Sequence, residues 1–447
     1  MKIIFVYPSL SDASFNTEGK PILFNQTHRG LCCLSAVCRK EGFNDIGLID
    51  LRLLRGWEEF RGRVEREKPD VAGITVMSPD YEYAVKCIDI IKEASPGTKT
   101  VAGGMHPTIR TEEMAGNKNV DHIITGEGET AFVELVKQIE KGKAPERIIK
   151  GELADVDKIP FEDRELFDFL EKPYEFFLPP PFVTVLASRG CPYYCKFCAP
   201  GSKLLHGNRT RRRSVDSVIG ELKELHRQYG FRSLQFWDDC FGVDRNWVME
   251  FCDKYKKEGF RQPFICLMRA DIICRNPDMM KKLRKAGLVM ALIGFETGNE
   301  RMLKFVNKGT TLKQHLKATK ICKRLGIKIW AMHMFGLPTE TNEEARDTAR
   351  IIKKIKPYRS STAFFTPFPG SFFYEYCKEN NLSLIGDHDA VAIFPEDDTP
   401  KIKNIDYNFM RKLATDSKNL PLRSKVRIRI ERIFAPGAPV GKDMICA

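Results

Sequence analysis

The sequence predicts an α/β protein with a doubly wound parallel-sheet domain, a partial (β/α)6 barrel and a short C-terminal appendage. Apolar strand patterns alternate with amphipathic helical patterns over the first 150 residues. The alternation stops at a proline-rich stretch, then resumes for six strand–helix units, fewer than the eight of a closed barrel. We therefore expect domains at 1–150 and 181–385, a linker at 151–180 and the appendage at 386–447.

The first domain is predicted to be of the flavodoxin/Rossmann-like kind. Its predicted strands are Lys2–Tyr7, Asp45–Leu51, Val71–Val76, Thr98–Ala102 and His122–Thr125, and its predicted helices are Gly30–Lys40, Tyr81–Glu93 and Glu129–Lys141. Ligands on such sheets bind at the carboxyl ends of the strands. The loops expected to carry function are therefore Thr75–Asp80, Gly103–Thr108 and Gly126–Thr130.

The second domain is predicted to be a partial barrel of the TIM type. Its predicted strands are Phe182–Ala187, Ser233–Trp237, Pro263–Met268, Leu288–Phe295, Ile327–Phe335 and Ser361–Thr366. A helix at Val215–Gln228 has Ser214 as its cap and Gly230 as its stop. Thr341 with Glu344 predicts a capping box for a later helix.

The charge balance is basic, with 72 Lys and Arg against 59 Asp and Glu, a net charge of +13. The local basic runs, Arg209–Arg213 and Arg423–Arg432, lack the interleaved aromatic residues of a base-stacking platform, so no nucleic-acid partner is expected. The first run has two readings, a contact to an anionic ligand or a solvated entry to a helix. No apolar run is long enough to span a membrane, and the first apolar stretch reads as a strand rather than a signal peptide. We expect a cytoplasmic protein.

Most of the fourteen cysteines are scattered in apolar surroundings, but Cys191, Cys195 and Cys198 form a Cys-x3-Cys-x2-Cys run directly after a strand. Thiolates select zinc or iron–sulfur, and three ligands to a [4Fe–4S] cluster leave one iron open to a chelating substrate. The alternatives are a zinc site or three packed cysteines. Zinc sites carry a second ligand pair at fixed spacing, whereas Cys240 and Cys266 lie far off, so the pattern favours the cluster.

With the aromatic Phe197 before its last cysteine, this run resembles the signature of radical SAM enzymes, which cleave S-adenosylmethionine (SAM) to a 5′-deoxyadenosyl radical. The resemblance continues in the segments FWDDCF, MRAD, GFETG, FGLP and TPFPG. It implies that SAM is bound by Phe197, Asp238, Asp239, Arg269, Glu296, Gly336, Pro338 and Pro369. The aspartates would hold the methionine amino group. Arg269 would pair with the methionine carboxylate, to which a fork of donors is suited.

The first domain resembles the cobalamin-binding domain that precedes one large branch of radical SAM enzymes, on its segments GGMHPT and GEGE. The resemblance implies that cobalamin is bound by Thr75, Ser78, Gly103, Gly104, His106, Gly126, Glu127 and Gly128, the glycines allowing close backbone approach. The sequence lacks the DxHxxG motif that supplies a histidine to cobalt, so His106 is expected to be a packing or corrin-edge residue and cobalamin to have no histidine ligand. The alternative is a doubly wound domain that binds no ligand.

Together these resemblances imply a cobalamin-dependent methyltransferase acting on an unactivated carbon, or on phosphorus, of a small molecule. The expected electron donor is a ferredoxin or flavodoxin. A first alternative is a radical cyclisation or rearrangement without methyl transfer. A second is a methylthiotransferase on RNA, which would need three more cluster cysteines in the first domain; Cys32, Cys33 and Cys38 crowd one helical stretch and fit this poorly. A third, a binding module without catalysis, disagrees with the intact cluster and SAM motifs.

Overall fold

The computed structural model describes residues 1–9, 15–17, 27–167, 177–198, 201–387 and 399–418. Two parallel sheets follow one another along the chain, each with its own helices. The predicted α/β class, with a doubly wound sheet before a partial barrel, is confirmed. The division of the chain into four parts stays a prediction, and the basic run Arg423–Arg432 lies outside the described residues.

Within the described residues, six parallel strands form the first sheet in the order β2-β1-β3-β4-β5-β6. They are β1 (Ile3–Tyr7), β2 (Ile46–Asp50), β3 (Val71–Thr75), β4 (Lys99–Gly103), β5 (His122–Gly126) and β6 (Ile148–Gly151). The order 2-1-3-4-5 is flavodoxin-like, so the direction of winding changes between β1 and β3. The carboxyl ends of the strands beside this point border the candidate site.

Helices cover both faces of the first sheet, as the doubly wound prediction requires. They are α1 (Arg29–Lys40), α2 (Trp57–Glu67), α3 (Tyr81–Ala94), α4 (Met105–Ile109), α5 (Thr111–Gly116) and α6 (Gly128–Glu140). Leu31 and Phe132 fill the core on one face, and Phe60 and Ile88 fill the core on the other. The sequence patterns did not indicate α2 or β6, because α2 buries only Phe60 and Val64 and β6 is a short edge strand.

The second sheet is the predicted partial barrel. Its parallel strands are β7 (Phe182–Val185), β10 (Ser233–Phe236), β11 (Phe264–Met268), β12 (Leu288–Glu296), β13 (Lys328–Phe335) and β14 (Arg359–Phe364), ordered β14-β13-β12-β11-β10-β7 among the described residues. Between β7 and β10 an antiparallel ribbon pairs β8 (Ser188–Arg189) with β9 (Arg211–Arg212). This ribbon, absent from the sequence prediction, flanks the cysteine loop.

The helices of this half are α7 (Gly201–His206), α8 (Val215–Tyr229), α9 (Arg245–Lys257), α10 (Ala270–Arg275), α11 (Pro277–Ala286), α12 (Glu300–Phe305), α13 (Leu312–Arg324), α14 (Asn342–Ile355), α15 (Phe372–Glu379) and α16 (Tyr407–Lys418). The predicted caps are confirmed: Ser214 accepts a hydrogen bond from Ser217 N–H, and Thr341 and Glu344 form a capping box. In the described part of the chain, no helix has both the length and the apolar character needed to cross a membrane.

Candidate functional site

A cavity of about 430 Å³ lies between the two sheets. The first sheet contributes Thr75, Gly103, Gly104, Gly126, Glu127 and Gly128 to its wall. The second half of the chain contributes Leu186, Ser188, Arg189, Gly190, Trp237 and Asp239. The cavity therefore joins the carboxyl ends of the first sheet to the ribbon that leads into the cysteine loop.

Several glycines line the cavity on the side of the first sheet: Gly103, Gly104, Gly126 and Gly128. Gly104 has a φ of +104°, and a Cβ there would lie 3.1 Å from the carbonyl oxygen of Val76. Gly126, with a φ of +83°, is pressed against the backbone of Gly151. At both positions a side chain is excluded, because positive φ and close backbone contact disfavour any Cβ. Glycines at the cavity wall let a bulky ligand such as a corrin ring approach the backbone closely, so the residues present fit cobalamin.

His28 borders the cavity and was missed by the sequence prediction. Its Nδ1 accepts a hydrogen bond from Leu31 N–H at 3.1 Å and so caps α1, while its Nε2 lies 3.3 Å from Thr75 Oγ1. Burial lowers the pKa of His28 to about 4, so the imidazole is neutral. The usual capping residues are Ser, Thr, Asp and Asn, which explains why a histidine before the helix gave no signal.

Ser78 and His106 lie outside the walls of the cavity. His106 is fully buried, with its Nδ1 3.2 Å from Ser78 Oγ and its ring 4.6 Å from the ring of Tyr81. This environment suits the packing role expected for His106. A cobalamin contact by Ser78 stays a prediction that the position of its hydroxyl does not favour.

The cysteine loop follows the ribbon directly. The pKa of the Cys198 thiol is raised to about 12, first by desolvation and then by the nearby Cys195 and Cys191. Such a thiol is ionised at neutral pH only when a metal cation binds it. Among the described residues no three Cys, His, Asp or Glu side chains are gathered around a single ion position. The donor set of three thiols on one loop fits a cluster, in which each thiolate binds a separate iron.

Two buried cations face this loop. Arg269 Nη1 lies 3.8 Å from Cys195 Sγ, and the guanidinium stacks 3.5 Å from the ring centre of Tyr193. Arg269 also donates to the carbonyl oxygen of Lys308, whose own ammonium lies 2.7 Å from Glu296 Oε1. Arg269 also forms an ion pair with Asp271 at 3.0 Å, so each of the two cations is paired with a carboxylate beside the loop.

Phe197 packs beside the same group, with the Lys308 ammonium 6.0 Å from its ring centre. Three of the predicted SAM residues, Phe197, Arg269 and Glu296, therefore lie in one neighbourhood around Lys308. Arg269 connects this neighbourhood to the thiol of Cys195. A SAM molecule chelated at the open iron would meet these side chains.

The adjacent aspartates after β10 point in different directions. Asp238 is buried and accepts hydrogen bonds from Ala187 N–H, at 3.1 Å, and from Ser188 Oγ–H. Burial raises the pKa of Asp238 to about 6. Asp239 instead is exposed and borders the cavity. The geometry therefore favours Asp239 over Asp238 as the carboxylate that meets an amino group.

The turn after β13 is held by Glu340, which the sequence analysis did not single out. Glu340 Oε2 accepts hydrogen bonds from Gly336 N–H at 2.7 Å and from Leu337 N–H at 3.2 Å. Burial raises the pKa of Glu340 to about 8. Pro338 and Pro369 are both buried. The sequence places this glutamate three residues after the Gly336-Leu337 pair, close enough to accept hydrogen bonds from the turn. Nothing in the sequence indicated that its carboxylate would be buried.

Three arginines of the first basic run make contacts within the protein. Arg211 forms an ion pair with Glu127, Arg213 forms one with Glu221, and the Arg212 guanidinium lies 5.1 Å from the ring centre of Trp247. Three arginines of the run therefore contact groups of the same chain.

Comparison with known sequences agrees with this geometry. The Radical SAM superfamily matches residues 185–352, and the B12 binding domain matches residues 22–136. An uncharacterized methyltransferase of Pyrococcus horikoshii is 30% identical over 404 residues, covering 86% of this chain and 84% of the relative. The anaerobic magnesium-protoporphyrin IX monomethyl ester cyclase of Rubrivivax gelatinosus is 26% identical over 394 residues, covering 84% of this chain and 70% of the relative.

Among solved structures, the cobalamin-dependent SAM radical enzyme OxsB with aqua-cobalamin and SAM bound has a TM-score of 0.64 at 17% identity. The match covers 85% of this chain, which spans only 55% of OxsB, and it supports the fold. The matched families confirm the cofactors that the sequence predicted: a [4Fe–4S] cluster, SAM and cobalamin. The chain therefore belongs to the radical SAM superfamily, in the group that carries a B12-binding domain ahead of the radical SAM domain.

Proposed function

We propose that this enzyme cleaves SAM reductively and methylates an unactivated carbon, or a phosphorus, of a small molecule with the help of cobalamin. One observation carries the proposal. The cavity has the glycine surface of the B12-binding domain on one side and the entry to the cysteine loop on the other. A substrate held there would meet both cofactors. The name of the Pyrococcus horikoshii relative, a methyltransferase, agrees with this outcome.

We propose that Cys191, Cys195 and Cys198 hold the cluster and that Asp239 meets the amino group of SAM. When bound, the cluster supplies an electron to SAM, and cobalamin supplies the methyl group that replaces a hydrogen of the substrate. Arg269 lies within contact of the Cys195 sulfur, and the ion pairs Arg269–Asp271 and Lys308–Glu296 lie beside the loop. Glu340 fixes the turn at Gly336, along which the adenine is proposed to lie.

On the opposite wall, Thr75, Gly103, Gly104, Gly126 and Gly128 are proposed to contact cobalamin. Their role is to bind and orient the ring and to exclude water from its edge, since the wall is backbone and close-packed. That no histidine binds cobalt is part of the proposal; His28, at the cavity wall, caps α1 through Nδ1 and has its Nε2 3.3 Å from Thr75 Oγ1.

A radical cyclisation is the second candidate, favoured by the similarity to the Rubrivivax cyclase. The RNA methylthiotransferase reading fits poorly. Cys32 and Cys38 are completely buried in the core of the first half and Cys33 is nearly so, and burial raises the pKa of all three thiols, as expected for packed side chains rather than for ligands of a second cluster.

The proposed reaction needs a low-potential electron and reduced thiols. We therefore propose a ferredoxin or flavodoxin as the electron donor and the cytoplasm as the compartment.

Anaerobic reconstitution of the full chain, followed by measurement of iron, sulfide and bound cobalamin, tests the proposal. Reduction with SAM present is expected to release 5′-deoxyadenosine. Replacing Cys195 with Ala should abolish both iron binding and that release. Cys266→Ala is the matched control, since Cys266 is buried in the hydrophobic core of the second half. Iron without cobalamin would refute methyl transfer and spare the radical chemistry; release by the Cys195 variant would refute the cluster assignment.

A further inference from the structure

The ribbon before the cysteine loop sets two arginines side by side. In the antiparallel pairing of β8 with β9, Arg189 lies directly opposite Arg211. Like charges directly opposite each other destabilise such a pair, and a guanidinium cannot relieve the repulsion by losing its proton. The ribbon therefore needs a carboxylate between its two arginines.

The B12-binding domain supplies that carboxylate. Glu127 Oε1 accepts from Arg189 Nη1 at 3.0 Å and also from Arg211, while Glu127 Oε2 accepts from Ala154 N–H at 2.8 Å. Glu129 Oε1 lies 2.6 Å from Arg189 Nη2. The two glutamate side chains are only 5% and 9% exposed. Loss of one partner from such a buried group leaves an uncompensated charge, so the network acts as a unit.

Both ends of this network reach the candidate site. Gly126, Glu127 and Gly128 line the cavity on the side proposed for cobalamin. Arg189 is separated from Cys191 only by Gly190, whose φ is +87° and where a Cβ would lie 2.6 Å from the carbonyl oxygen of Arg209. The backbone between the arginine and the first cysteine is thus tightly held, and a shift of Arg189 would be passed to Cys191.

We propose that Arg189 is a positioning residue that couples the two cofactor sites, so that binding of cobalamin against Gly126–Gly128 alters the environment of the cluster and the reverse. The inference rests on the proposed function, because it requires both cofactors on this chain. In this proposal the two glutamates of the GEGE segment, Glu127 and Glu129, hold the contact between the domains. The two glycines of the segment, Gly126 and Gly128, face the corrin ring with their backbone.

The experiment measures coupling without turnover. Hydroxocobalamin is titrated into the full chain, with and without the reconstituted cluster, and the ratio of the two dissociation constants is recorded. The paramagnetic resonance spectrum of the reduced cluster is taken before and after hydroxocobalamin is added. The wild-type protein is expected to show a ratio of about fivefold or more and a changed spectrum, because coupling acts equally in both directions.

Arg189→Gln is expected to bring the ratio close to one and to leave the spectrum unchanged on addition of hydroxocobalamin. Arg189→Lys, which keeps one charge but not the fork, should restore part of the coupling. Glu129→Gln leaves Glu127 in place and should reduce the ratio even if Arg189→Gln loses its cluster. The matched control is Arg245→Gln, which breaks an exposed ion pair with Asp278.

Coupling that persists in both Arg189→Gln and Glu129→Gln, or that Arg245→Gln reduces equally, would overturn the inference, as would a wild-type ratio of one. Failure of the wild-type protein to bind hydroxocobalamin would overturn the proposed function and this inference together. Binding without coupling overturns the inference alone.

Discussion

The ammonium of Lys308 lies 2.7 Å from the carboxylate of Glu296, and both side chains are buried. Glu296 ends β12 with a φ of +62°, a region in which a non-glycine residue is strained by about 1–3 kcal/mol. A Cβ on Gly294 would collide with the Glu296 carboxylate. The pair therefore holds a strained backbone in place beside the cysteine loop.

Lys308→Met is expected to lower the free energy of unfolding by about 3–5 kcal/mol, because it leaves the Glu296 carboxylate buried and unpaired. Chemical denaturation of the cluster-free protein measures this. Lys282→Met, which breaks an exposed pair with Asp253, should cost less than about 1 kcal/mol. Equal effects of the two substitutions would contradict the assigned burial of the pair.

Glu340 should make stability fall as pH rises. Its pKa is about 8 in the folded protein against an ordinary value of 4.5, so the folded state holds the proton more tightly. Its contribution to stability is complete below about pH 4.5 and is lost as pH rises through 8, a fall of about 1–4 kcal/mol. Thermal unfolding of Glu340→Gln should show a flatter dependence between about pH 5 and pH 9.

The exposed Glu343 provides the control for this titration. Glu343 forms ion pairs with Arg346 and Arg350 on the surface of α14. Glu343→Gln should leave the fall in stability between about pH 5 and pH 8 as it is in the wild type. A wild-type protein whose stability shows no fall over this range that Glu340→Gln removes would show that the Glu340 carboxyl is not held protonated.

Gly103→Val is expected to prevent cobalamin binding while leaving the fold intact. Gly103 ends β4 at the cavity wall, and the nearest atom to a Cβ there is the carbonyl oxygen of Ile124 at 3.8 Å. A valine fits the strand backbone and would extend into the cavity. The amount of hydroxocobalamin that stays bound through gel filtration should fall at least about tenfold, because the valine side chain would occupy space that the ligand needs. Gly97→Val, in an open loop, is the control.

Substitution of the two adjacent aspartates should have different effects: Asp238 should affect stability, and Asp239 should affect SAM binding. Asp238→Asn is expected to lower the free energy of unfolding by about 1–3 kcal/mol, because a neutral amide replaces the carboxylate that accepts hydrogen bonds from Ala187 N–H and the Ser188 hydroxyl, and bonds to a charged acceptor are the stronger ones. Asp239→Asn should leave stability within about 0.5 kcal/mol of the wild type and weaken SAM binding to the cluster-loaded protein. Calorimetric titration of SAM into both variants measures the difference; stronger loss of SAM binding in the Asp238 variant would reverse the assignment.

The strongly periodic features of this chain could be predicted from sequence. The strands β1, β3 and β10 to β13 are apolar runs bounded by turn residues, and the caps at Ser214 and Thr341 follow a local hydrogen-bonding rule. The cysteine run was identifiable because its spacing is itself the signal. None of these depends on knowing which parts of the chain meet in space.

What sequence could not supply are the contacts between distant segments. Glu127 stays a predicted cobalamin contact at the cavity wall, but nothing in the sequence indicated that its carboxylate pairs with Arg189 and Arg211, 62 and 84 residues away. Asp238 and Asp239 are indistinguishable as neighbours in sequence, and only the direction of each side chain separates them. No sequence pattern indicated Glu340 or Lys308, since burial of a charged group depends on partners that local patterns do not show.

The helix α16 belongs to the C-terminal appendage in sequence, yet Tyr407, Met410 and Ala414 pack with Phe335 and Phe364 of the last two barrel strands. A chain that ended at residue 385 would expose this apolar surface beside β14, the edge strand of the sheet. Such a shortened protein would be prone to self-association through an unprotected strand edge. We therefore expect the appendage to protect this surface from self-association, and any effort to obtain the catalytic half by itself should retain the segment through Lys418.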